Sequence, residues 1–158
     1  MNIAIVVSEF NNKVTSRMHK VALEKAKELK LNVKYECNVP GVFDMPLVID
    51  TLLQKKDIDA VVTLGAIIKG QTKHDELIAN VVAARISKLS IKYQKPVSLG
   101  ISGPGMSERQ AFGRIRPVSE RAVDAIFNTA KELKKINNDS DYNYQDYGVW
   151  TLDSDIRK

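Results

Sequence analysis

A chain of 158 residues has the size of one domain, and with 44% apolar and 27% charged residues it can bury a core, so wholesale disorder is excluded. The single cysteine, Cys37, excludes an internal disulfide framework and a Cys-rich zinc site. The net charge of +5 is uneven: residues 137–158 hold five aspartates against Arg157 and Lys158, a net of −3, which leaves +8 on the rest. The lysines of that basic part fall at helix-surface spacing (Lys20, Lys25, Lys27, Lys30; Lys131, Lys134, Lys135) without interleaved aromatics. They read as solvated helix faces rather than a nucleic-acid surface. Met1-Asn2 leads directly into Ile3–Val7 with no basic lead-in, and no apolar run approaches the ~20 residues of a membrane span. The expectation is a soluble cytoplasmic protein with neither a membrane nor a nucleic-acid partner.

Short β-branched runs alternate with amphipathic stretches. Ile3–Val7 reads as a first strand, followed by a helix through Leu29 with Val14, Met18, Val21 and Leu29 at helical spacing. Val33–Cys37 is a second strand, and Cys37 inside it reads as a small buried apolar residue. A helix is expected from about Met45-Pro46, where proline suits a first turn. Ala60–Leu64 is apolar enough for a strand buried on both faces. Residues 74–91 carry Ile78, Val81, Val82, Ile86 and Leu89 as the stripe of a helix. Pro96–Ile101 reads as a fourth strand and Gly103-Pro104-Gly105 as a turn behind it. Ser107-Glu108-Arg109-Gln110 matches a capping box that opens the next helix. Pro117 is expected to end or kink that helix at Arg116, with Ser119 capping a last helix, 120–136. The Asn/Asp/Ser-rich residues 137–158, with Tyr142, Tyr144, Tyr147 and Trp150, read as a flexible tail leaving a domain of residues 1–136. Such alternation with short connections requires parallel strands and right-handed crossovers, hence a three-layer α/β/α domain around a four-stranded parallel sheet.

Ligands of open parallel sheets bind beyond the carboxyl ends of the strands. The residues there are Ser8–Asn12, Asn38–Asp44, Gly65–Asp75 and Ser102–Gly105. Phe10, Phe43 and one of the two histidines, His74, thus share one rim. Stacking surface with a few placed hydrogen bonds suits a flat polar heterocycle. No G-x-G-x-x-G follows the first strand and no G-x-x-x-x-G-K-[ST] occurs, which disfavours dinucleotide and Walker-type nucleotide binding. Two histidines without a nearby ligand set make metal catalysis a poor reading. His19, mid-helix among lysines, reads as a surface residue. From spacing alone Arg114 would pair with Glu108 or Glu120 on a helix surface.

These rim residues carry a resemblance. Phe10-Asn11, Val39–Pro46, Leu64–His74 and Gln110-Ala111 with Arg114 are similar, in order and spacing, to the motifs of 6,7-dimethyl-8-ribityllumazine synthase, and Gly100–Met106 resembles its archaeal branch. The resemblance runs from about residue 3 to 133. It implies a flavodoxin-like fold and the penultimate step of riboflavin synthesis, in which 5-amino-6-(D-ribitylamino)uracil condenses with 3,4-dihydroxy-2-butanone 4-phosphate without a cofactor. By the same resemblance Phe10 would stack on the pyrimidine. Val42, Phe43 and Asp44 would hold the ribityl chain and ring edge, and Ala66, Ile67 and Ile68 would line the ring pocket. Gln71, Thr72 and Arg114 would bind phosphate, and His74 would be the general acid and base. Asn11 and Arg121 are weaker members of the set, Arg121 standing where a helix lysine is usual. The resemblance further implies a homo-oligomer, a pentamer or a 60-subunit shell, with Arg114 and Leu99 supplied to a neighbour's site.

Those roles agree with elementary chemistry. Imine formation and phosphate elimination move protons near neutrality, where imidazole works. A phosphate leaving group suits the planar donors of a guanidinium, and joining two bound substrates needs positioning above all. Asp44 stands where the family commonly has Glu, Leu99 where it often has Phe, and Gly113 where it frequently has Glu. Two other readings stay open at this point: an archaeal-type riboflavin synthase, and a non-catalytic shell-forming or flavin-binding relative.

Overall fold

In the computed structural model, which describes residues 1–138, the side chains of two central strands alternate between two apolar layers. The first strand, β1 (Asn2–Ser8), sends Ile3, Ile5 and Val7 to one face and Ala4 and Val6 to the other, as the two-residue period of a strand requires. Its neighbour β3 (Ala60–Ile68) is buried almost throughout, as its unbroken apolar run implies. On one face lie α1 (Asn12–Glu28) and α5 (Ile115–Asn137); on the other lie α2 (Met45–Leu53) and α3 (His74–Tyr93). β2 (Asn32–Val39) forms one edge and β4 (Val97–Ser98) lies at the other, and all pairings are parallel in the order β2-β1-β3-β4. The result is a three-layer α/β/α fold of flavodoxin-like type. Pro46 sits in the first turn of α2, where its missing N–H breaks no helical bond. The acidic segment from residue 139 onward, with its three tyrosines and Trp150, lies outside the described residues.

Three local expectations need correction. The fourth strand is split into β4 (Val97–Ser98) and β5 (Ile101–Met106), so the sheet has five strands rather than four. Both pair with β3, one after the other along the same edge. The break is organised by Thr63, whose buried hydroxyl donates to the Ser98 carbonyl (2.6 Å) and accepts from the Gly100 N–H (3.2 Å). A Cβ at Gly100 would lie 2.0 Å from the Thr63 carbonyl oxygen, so only glycine allows the strand to step past. Secondly, Gly103-Pro104-Gly105 is no turn behind a strand but a bulge inside β5. Ala66 pairs with Ser102 and Ile68 with Met106, leaving the three residues 103–105 opposite Ile67. The Gly103–Pro104 peptide is cis, and Gly103 has φ +106° with its missing Cβ 2.2 Å from the Ile67 oxygen. This pairing also carries β3 four residues beyond the expected Leu64.

Thirdly, α4 (Glu108–Gly113) ends before Arg114, and α5 begins at Ile115. Pro117 occupies the first turn of α5, where an N–H is dispensable, instead of terminating a helix. Ser119 is consequently not a cap; it is buried inside α5, and among the described residues its hydroxyl has no hydrogen-bond partner. The capping box itself is present. Ser107 Oγ accepts from the Gln110 N–H (3.2 Å), and Gln110 Oε1 accepts from the Ser107 N–H (2.8 Å).

Candidate active site

The loops after β1, β2 and β3 meet at the carboxyl rim of the sheet and are tied together by their own backbones. The Glu9 N–H donates to the Val39 carbonyl (2.8 Å) and the Phe10 N–H to the Pro40 carbonyl (3.0 Å). Asn11 precedes α1 in the left-handed conformation (φ 62°), which asparagine tolerates better than most residues. Its side-chain amide donates to the Ala66 carbonyl at 2.7 Å, joining the first loop to the end of β3. Across the gap, Val42–Asp44 form a short 3-10 turn closed by Asp44, whose carboxylate accepts from the Gly41 N–H (2.9 Å).

Together these loops enclose a cleft of about 400 Å³ lined by Phe10, Asn11, Gly41, Val42, Phe43, Ala66, Ile67, Ile68, Gly70, Thr72, His74, Asp75 and Ile78. That volume is in the range of small-molecule sites. Phe10 and Phe43 stand 73% and 64% exposed, presenting ring faces that a core would bury. Ala66 and Ile67 form an apolar floor from the last turns of a buried strand. His74 is the first residue of α3 and, like Thr72, is exposed at the cleft.

Of the residues expected from the sequence, nine therefore gather in one place: Phe10, Asn11, Val42, Phe43, Ala66, Ile67, Ile68, Thr72 and His74. Asp44 and Gln71 are exposed beside the cleft without lining it. Arg114 and Leu99 lie elsewhere. Arg114 lines a separate hollow of about 460 Å³ with Gly103, Pro104, Gly105, Met106, Gln110 and Gly113. Its Nε donates to Ser102 Oγ at 3.1 Å, so neither Glu108 nor Glu120 holds it; Glu120 is paired with Arg116 instead (2.7 Å). Leu99 is half-exposed beside a third hollow of about 160 Å³. Arg121 is exposed on α5 and lines none of these hollows. Asp75, Gly41, Gly70 and Ile78 also line the cleft, although no site role was expected of them; for Asp75 the sequence signals are its place at the end of the third rim segment and next to His74.

Electrostatics elsewhere is structural. His19 faces Glu36 across α1 and β2 at 2.9 Å. Burial pushes the half-buried Cys37 thiol up from its ordinary range, which keeps it protonated and unreactive at neutral pH. Among the described residues no three His, Cys, Asp or Glu side chains cluster as metal ligands, and no helix is long and apolar enough to cross a membrane.

A parallel α/β sheet whose carboxyl rim carries two open aromatic faces, an imidazole and a row of strand-end backbone groups defines a small-molecule enzyme of the flavodoxin-like class. Residues 1–136 match the sequence profile of 6,7-dimethyl-8-ribityllumazine synthase. Over 136 residues the chain is 48% identical to the 6,7-dimethyl-8-ribityllumazine synthase of Methanocaldococcus jannaschii, covering 86% of this chain and 96% of that protein. The enzyme of the same name from Methanococcus maripaludis is also 48% identical, over 86% and 98% of the two chains, and that of Saccharolobus islandicus is 49% identical, over 87% and 89%. The chain belongs to the 6,7-dimethyl-8-ribityllumazine synthase family, transferases of riboflavin biosynthesis.

Proposed function

We propose that the cleft is one wall of an active site completed by a second copy of the chain. The reaction there is the condensation of 5-amino-6-(D-ribitylamino)uracil with 3,4-dihydroxy-2-butanone 4-phosphate, giving 6,7-dimethyl-8-ribityllumazine, phosphate and two molecules of water. The observation that carries this reading is the division of labour within one chain. The stacking faces, Thr72 and His74 share a cleft, whereas the guanidinium suited to phosphate lines another hollow.

In this reading the pyrimidine stacks on Phe10, its edge meets backbone groups of Ala66–Ile68, and the ribityl chain runs past Val42, Phe43 and Asp44. Stacked aromatic contacts are worth about 0.5–1.5 kcal/mol beyond area burial. The amino nitrogen attacks the ketone carbonyl, and His74, at the rim of the same cleft, moves the protons of dehydration and of phosphate loss. Gln71 and Thr72 receive the phosphate from one side and the neighbour's Arg114 from the other, with Leu99 of that neighbour closing over the ring. Arg121 is a further cation on the Arg114 side, and Asn11 acts mainly by fixing the Ala66 carbonyl. No cofactor is needed, because the work is to hold two substrates in contact and carry protons between them.

A copy lending Arg114 to its neighbour while receiving another's makes a head-to-tail contact, and such contacts form a ring where the rotation between copies closes. Leu47 on α2 (77% exposed) and Leu77 on α3 (60% exposed), helices that pack on one another, supply apolar surface for that contact. The closed ring is a pentamer, alone or as the unit of a larger shell. The test is to mix the purified protein with the aminouracil and the butanone phosphate and follow the lumazine chromophore together with released phosphate. One phosphate per lumazine is expected. No chromophore from a folded, assembled protein overturns the reading, and lumazine consumed rather than formed would indicate a riboflavin synthase.

A further inference from the structure

The segment that delivers His74 to the cleft is held at few points. Residues 69–74 are all exposed. The Lys69 N–H donates to the Met106 carbonyl (2.9 Å) before the segment leaves the sheet. Among the described residues, no side chain from Gln71 to His74 then makes a hydrogen bond, and Lys73 offers α3 no side-chain cap.

Asp75 supplies the missing attachment. It is the second residue of α3, yet it is only 8% exposed. Its carboxylate does not cap its own helix; Oδ2 accepts from the Gly105 N–H at 3.0 Å, thirty positions along the chain. Gly105 is free to donate because it sits in the bulge of β5, at φ +76°, where it has no partner in the β3–β5 register. One end of this bond lies in the wall of the His74 cleft and the other in the wall of the Arg114 hollow. A buried carboxylate is costly to keep without a donor, and α3's own free N–H groups are nearer along the chain. Its commitment to Gly105 fixes the helix start against the strand.

We propose that Asp75 is a positioning residue for the condensation: through Gly105 it sets the distance of His74 from the ring pocket. This rests on the proposed reaction at the same cleft. Asp75 donates no proton to substrate in this scheme; it acts through the imidazole beside it. Displacement of a reacting group by 1 Å can cost about 10²-fold in rate, so loss of the anchor should appear in turnover rather than in affinity.

The experiment compares Asp75→Ala and Asp75→Asn with the wild-type assembly, using saturating aminouracil and butanone phosphate. In D75A, kcat should fall by about tenfold or more while KM for the aminouracil changes less than about threefold. Amide exchange of the peptide covering residues 103–106 should accelerate. D75N keeps a side-chain oxygen for the Gly105 N–H and should return kcat to within about threefold of wild type. If D75A does not assemble, D75S, whose hydroxyl is too short to reach Gly105, takes its place with the same expectations. A D75A protein that turns over at the wild-type rate overturns the positioning role, as does a D75N protein as slow as D75A. Wild-type protein that forms no lumazine overturns instead the reaction on which the role rests.

Discussion

His74 and Arg114 open onto different hollows of one chain, which makes a mixing experiment decisive for the composite site. His74→Ala removes the proton carrier, and general acid–base catalysis commonly contributes about 10²–10⁴-fold. Arg114→Ala removes the charge-assisted phosphate contact. Each variant alone should assemble, because His74 is exposed and, among the described residues, the guanidinium of Arg114 makes one hydrogen bond, to Ser102. When the two are co-expressed in equal amounts and assemble at random, each site draws its His74 wall and its Arg114 wall from independent copies. About one quarter of sites then carry both groups, and phosphate release should recover to about one quarter of the wild-type rate. Were both groups used within the same chain, no site would be whole and activity would stay at the average of the two variants. The reciprocal mixture, wild type with the double variant, should likewise yield about one quarter of full activity, against about one half for a same-chain site. Failure of both mixtures to show these values would refute the composite site.

Three further expectations follow from packing and charge. Gly103→Ala adds a Cβ 2.2 Å from the Ile67 carbonyl oxygen at a φ of +106°, so strain and overpacking together should cost about 2–4 kcal/mol in urea unfolding, whereas Gly105→Ala, with a φ of +76° and open space around it, should cost only about 1–2 kcal/mol; equal losses would argue against the bulge. Tyr93, together with Lys92 and Gln54, donates to Asp50 and holds its carboxyl below the usual carboxylate range. That stabilisation is present above the unfolded carboxyl pKa of about 4 and is lost as pH falls through the lower folded value. Asp50→Asn should therefore destabilise at pH 7, and its deficit should shrink in urea midpoints taken below about pH 4. Ser107→Ala removes the hydroxyl that accepts from the Gln110 N–H and should lower stability by about 1 kcal/mol, as loss of an N-cap generally does; an unchanged midpoint would show that α4 needs no cap.

Local periodicity was enough for the layers. The alternation of Ile3–Val7, the unbroken apolar run from Ala60 and the spacing of Val14, Met18 and Val21 each state which face must be buried, because strand and helix periods are properties of neighbouring residues. The rim rule for parallel sheets then placed Phe10, Phe43 and His74 together, and the structure brings all three to one cleft. The resemblance, rather than periodicity, singled out Arg114, whose spacing suggested a surface ion pair that it does not make.

What lay beyond the sequence depends on groups far apart in the chain. Thr63 and Gly100 decide where the last strand breaks, Ile67 and Gly103 decide that Gly-Pro-Gly is a bulge, and Asp75 finds its donor thirty residues away at Gly105. Pro117 shows the same limit at short range: a proline can end a helix or sit in its first turn, and the structure starts α5 at Ile115, which puts Pro117 in a first turn. Residue order dictates the repeating pattern of burial, which is additive and local. Backbone partners at a strand's end, and the side chains they pin, are chosen only once the whole sheet has closed around them, because a buried N–H or C=O must find whatever partner the tertiary structure brings within reach.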